Sequence, residues 1–74
     1  MHYFFDLRDQ NRFVKDEEGK EIASFDIAKM EAAERLTNYV KDIQQERVKR
    51  KTSIEVRTGA NIVFTFRIVV EASR

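Results

Sequence analysis

The spacing of apolar residues changes period twice along this chain, and that change decides what the chain can fold into. From His2 to Arg8 the residues alternate: Tyr3, Phe5 and Leu7 take one side, His2, Phe4, Asp6 and Arg8 the other. This is the two-residue repeat of a strand. Further on, Phe25, Ala28, Ala32, Leu36, Tyr39, Val40 and Ile43 fall on one stripe of a 3.6-residue spiral. From Ile54 the short repeat returns. Ile54 and Val56 alternate with Glu55 and Arg57, and Thr58-Gly59-Ala60-Asn61 reads as a turn. In the returning strand Ile62, Phe64, Phe66, Ile68 and Val70 share a face, opposite Val63, Thr65, Arg67, Val69 and Glu71.

The helix is predicted over about residues 25–47. Ser24 is suited to cap it, because its hydroxyl can accept from the unpaired N–H groups of the first turn. Asp26 sits at the end where the helix dipole favours negative charge, and the cations from Arg47 to Lys51 crowd the end where it favours positive charge. Glu31 with Arg35, and Glu46 with Arg50, have the spacing of supporting ion pairs. Before the helix, Asp9-Gln10-Asn11 reads as a tight connection, Arg12 to Lys15 as a short return strand, and Asp16-Glu17-Glu18-Gly19 as a polar loop in which Asp16 caps the turn at Gly19. The order is β-β-α-β-β in a single domain, 1–74. The fold class is α+β, one long helix packed across one face of an antiparallel sheet.

A single helix covers one face of a sheet that has two. The alternation turns Phe4, Val63 and Val69 away from the helix, with Val14 as a further member and Arg67 and Arg8 nearby. An apolar patch of this kind marks an interaction surface. A chain of 74 residues also buries a small share of its surface alone. The expectation is a homodimer formed through the open face or an edge of the sheet.

Charge narrows the partners. Lys and Arg number 14 against 13 Asp and Glu, leaving +1, and a dedicated nucleic-acid binder carries a clear basic excess. The charge is unevenly spread, however. Residues 1–34 hold five basic and nine acidic side chains, residues 35–74 nine basic and four acidic. Arg47, Lys49, Arg50 and Lys51 are the densest basic run and the candidate contact with nucleic acid. No aromatic interleaves with that run as on a base-stacking platform, so nucleic acid ranks second to protein. There is no cysteine, which excludes disulfides and thiolate metal sites and fits a reducing cytoplasm. No segment has the length of apolar residues that a membrane span needs, and the first residues lack the pattern of a signal peptide.

Catalytic groups are few. His2 is the sole histidine, placed next to a terminus, where a general base is poorly held. Without cysteine, and with that one histidine, neither a Cys–His pair nor a serine triad is expected. Asp6, Asp9, Asp16, Glu17 and Glu18 supply oxygens but not the spacing of a calcium loop, and no glycine-rich phosphate loop occurs. No catalytic residue, metal or cofactor is assigned.

Tyr3-Phe4-Phe5-Asp6-Leu7-Arg8-Asp9, then Asp16-Glu17-Glu18-Gly19-Lys20-Glu21, then the alanine-rich stretch from Ala28 to Ala33 resemble an uncharacterised family of short bacterial proteins. The resemblance covers nearly the whole chain. It implies a free-standing cytoplasmic bacterial protein and supplies no activity and no site residues. The chain departs from the family pattern at Gln10, where glycine is common, and in its additional Lys and Arg after the helix. A looser, fold-level likeness is to antitoxins of the HicB type, although the proline-containing loop of those proteins is absent. The leading expectation is a non-catalytic interaction or regulatory module. The alternative is a small antitoxin-like nucleic-acid binder.

Overall fold

The structure, a computed structural model, describes residues 1–10, 12–42 and 50–70. The elements are β1 (His2–Asp9), β2 (Arg12–Val14), β3 (Lys20–Glu21), α1 (Phe25–Asp42), β4 (Arg50–Thr58) and β5 (Asn61–Val70). All strand pairs are antiparallel, in the order β2-β1-β4-β5, with β3 added to the start of β1. This is the expected β-β-α-β-β order with one addition, the two-residue β3. Its pairing of His2 with Glu21 and Tyr3 with Lys20 holds the first residues of the chain in the sheet rather than leaving them to fray.

The core lies between α1 and one face of the sheet. Ala28, Ala32 and Leu36 from the helix meet Tyr3 and Phe5 from β1 and Ile54 and Val56 from β4, with Ile22 closing the end. The two alanines are fully buried, and their small side chains bring the helix axis close to the strands. Ser24 caps the helix, its Oγ accepting from Ile27 N at 3.2 Å. The Glu31–Arg35 pair forms at 2.7 Å. The expected helix end near residue 47, Ile43 of the stripe and the Glu46–Arg50 pair involve residues outside those described. Arg50 and Lys51 belong to β4, not to the end of the helix.

Two face assignments are corrected. Val14 registers with Leu7, so it lies on the helix side of the sheet, not on the open face. Ile62 registers with Arg57 while Phe64 registers with Val56, a bulge that takes up Val63 as an extra residue. The bulge turns Ile62 out of the expected core face and onto the open one, where it is 55% exposed.

Candidate functional site

The two edges of the sheet are built differently. The outer edge of β1 is sealed along its length. β3 pairs its first residues and β2 pairs Leu7 to Asp9. Between them the Asp16 carboxylate takes the place of a strand, its Oδ2 accepting from Phe5 N at 3.0 Å. Asp16 Oδ1 accepts from Glu18 N at 3.1 Å and Gly19 N at 3.0 Å, which folds the loop. Burial raises the cost of ionising Asp16, but the three backbone donors, with Arg35 at 3.9 Å, outweigh it and hold the carboxyl below its usual range.

Gly19 has φ +70°, and a Cβ there would meet the His2 ring at 2.7 Å and the Phe4 ring at 2.8 Å. Glycine is the residue that fits. His2 Nε2 donates to Glu18 O at 2.9 Å, and this bond, with Glu21 beside the ring, raises the histidine above its ordinary value. Both ring nitrogens of His2 are thus taken up within the fold.

The open face is held by charge. Arg57 Nε donates to Asp6 Oδ2 at 2.6 Å, Nη2 to Asp16 O at 2.9 Å and Nη1 to Gly59 O at 2.9 Å. Its guanidinium lies 4.5 Å from the centre of the Phe4 ring. Arg8 lies 4.4 Å from the Phe13 ring centre and 3.5 Å from Glu55. On the helix side, Asp9 accepts from the Tyr39 hydroxyl at 2.6 Å. The carboxylates of Asp6, Asp9 and Asp16 serve as acceptors for the fold, and among the described residues no three metal-ligating side chains gather. No helix of the described residues is long and apolar enough to cross a membrane.

The expected patch of Phe4, Val63 and Val69 is not contiguous. Phe4 is half-buried between His2 and Arg57. Arg57 stands between Phe4 on β1 and Ile62 on β5 in the same row of the sheet, while Val69 registers with Lys51 toward the far end of β4. Val63, Arg67 and Val69 all lie exposed along the one strand β5. Of the basic run, Arg47 and Lys49 lie outside the described residues. Lys51 is exposed on the open face, where it lines one cleft with Arg8, Ser53, Glu55 and Arg67.

Sequence reasoning missed the Asp6–Arg57 pair and the bulge. The pair joins residues 51 apart and leaves no local trace. The bulge leaves one: Ile62-Val63-Phe64 is an apolar run that breaks strict alternation.

The β5 edge is the opposite of the sealed one. It is a ten-residue strand whose inner side pairs with β4, and among the described residues nothing pairs with its outer side.

No curated protein and no solved structure matches the chain. A family model does, that of Domain of unknown function (DUF6894), over residues 2–69. From the first residue of β1 to the last but one of β5, the chain belongs to that family.

Proposed function

We propose that this chain is a non-catalytic interaction module of the cytoplasm that self-associates through the exposed edge of β5. The observation that carries this reading is the contrast between the two edges. The β1 edge is closed by β2, β3 and the Asp16 carboxylate, whereas β5 offers a long outer row of backbone N–H and C=O groups. Such an edge is a template for strand addition, and proteins that do not use one blunt it. The side chains agree. Val63 and Val69 are 42% and 50% exposed, and Phe64, Phe66 and Ile68 are only partly covered by the helix.

Sedimentation velocity across a concentration series tests the reading. A dimer is expected at micromolar concentration, weakened by Val69→Asp. A wild-type chain that stays monomeric at high micromolar concentration would overturn it. Phe4→Asp is expected to act on folding instead, because Phe4 packs against Arg57 and the Gly19 loop.

One observation favours a second reading, contact with nucleic acid. Lys51, Arg8 and Arg67 converge on one open cleft. Glu55 lines the same cleft and pairs with Arg8, which ranks this reading second. Binding of mixed DNA or RNA that weakens steeply with salt and is lost in Lys51→Glu would support it. No retarded band at low salt would dispose of it.

A further inference from the structure

The β5 edge carries a register as well as an opportunity for pairing. We propose that β5 pairs antiparallel with β5 of a second copy of this chain, with Phe66 on the two-fold axis. This inference rests on the reading of β5 as the edge of self-association and adds the partner's alignment.

Face matching restricts the possibilities first. Phe64, Phe66 and Ile68 point to the helix side, and Thr65, Arg67 and Val69 to the open side, while Val63, the residue the bulge adds, has no partner on β4. A slip of one residue would set one face of each copy against the opposite face of the other. Only alignments differing by two residues remain. With Phe66 on the axis, Phe64 stands opposite the partner's Ile68, Val63 opposite the partner's Val69, and Thr65 opposite the partner's Arg67. Each apolar side chain in the regular part of the strand meets an apolar one, and directly opposed pairs are the unit of sheet stabilisation.

The neighbouring alignments do worse. Centred on Thr65, Val63 would face the partner's Arg67, and Val69 would face the partner's Asn61. Centred on Arg67, two guanidinium groups would stand directly opposite one another, which is destabilising.

Charge complementarity selects the same register. Glu55 lies beside Thr65 in the β4–β5 pairing. Placing the partner's Arg67 next to Thr65 sets it two strands from Glu55, about 10 Å between Cα atoms at the usual strand separation. An arginine and a glutamate side chain together span that distance across the small Thr65. Arg67 makes no ion pair with any described residue of its own chain, so its charge is available for this contact. The resulting dimer doubles the path β2-β1-β4-β5 into one continuous sheet with both helices on one face.

The chain has no cysteine, which makes disulfide mapping direct. Opposed residues in an antiparallel pair lie about 4.5–5.5 Å apart at Cα, within the range a disulfide bridges. Mixed Val63→Cys and Val69→Cys variants are expected to form the mixed disulfide under mild oxidation, with neither variant linking to itself. Arg67→Glu is expected to weaken the dimer about tenfold by placing like charges together, and the combination Glu55→Arg with Arg67→Glu to restore it. If Thr65→Cys or Arg67→Cys links efficiently to itself, the register is overturned while self-association stands. If the chain sediments as a dimer and no β5 cysteine links, pairing along β5 is overturned. A chain that is monomeric at high micromolar concentration overturns the underlying reading, and the register with it.

Discussion

Arg57 and Asp6 form an ion pair at 2.6 Å between β4 and β1, on the face of the sheet that the helix leaves open. Both side chains are largely withdrawn from water, at 15% and 5% exposure. The remaining donors of the guanidinium reach the carbonyls of Asp16 and Gly59. The pair thus ties β1, the Asp16 loop and the β4–β5 turn together.

Removing one member strands the other. Arg57→Ala leaves the Asp6 carboxylate buried without its charge partner, and breaking such a pair costs about 3 kcal/mol. The measurement is urea unfolding. Arg57→Lys is expected to recover little, since an ammonium on a flexible stem does not reproduce three fixed N–H directions. A loss below about 0.5 kcal/mol for Arg57→Ala, the size typical of exposed pairs, would show that the site is wetter than described.

Gly19→Ala is expected to destabilise the fold by about 2 kcal/mol or more. The left-handed backbone alone costs an L-residue roughly 1–2 kcal/mol, and the new methyl must displace the rings of His2 and Phe4. Thermal unfolding measures the loss. The control is Gly59→Ala, where φ is +61° but a Cβ meets nothing within 4 Å, so backbone strain acts alone. Equal losses at the two sites would refute the packing part of the argument.

Stability is expected to fall in acid, in part through Asp16. Its carboxyl is held below the ordinary value in the folded chain. A group whose folded value is depressed contributes stability above its unfolded value and loses it as pH falls through the folded one. Denaturant midpoints should therefore drop below the ordinary carboxylate range, near pH 4, and Asp16→Asn should flatten part of that drop. His2 works in the opposite direction. Its value is raised, so its contribution is complete in mild acid and disappears as pH rises past the folded value. A His2→Gln variant with an unchanged profile between about pH 6 and 8, the interval where histidine titrates, would remove histidine from the account.

Much of what depends on local period and local chemistry was legible in the sequence. The alternation in residues 2–8 and 54–58, the stripe Ala28, Ala32 and Leu36, the cap at Ser24 and the turn at Gly59 all stand where the residues alone put them. The Asp16 cap was equally readable, because the side chain bonds to N–H groups two and three residues ahead. Gln10 shows local chemistry overridden. It holds φ +57°, a conformation that glycine takes more easily, at the position where the family pattern commonly has glycine.

By itself, then, the sequence determined that one helix covers one face of an antiparallel sheet, since periodicity is a property of neighbours along the chain. Only the tertiary structure decided what the other face and the edges present. Whether Phe4 is free depends on Arg57, more than fifty residues away. Whether Ile62 points inward depends on a bulge in its pairing with β4. Which long strand keeps an unpaired edge among the described residues depends on β2, β3 and Asp16 closing β1, so that short strands end the sheet on that side and β5 ends it on the other. These are outcomes of strand order and register, settled by contacts between distant segments, and of them the bulge alone marks the spacing, in the apolar run Ile62-Val63-Phe64.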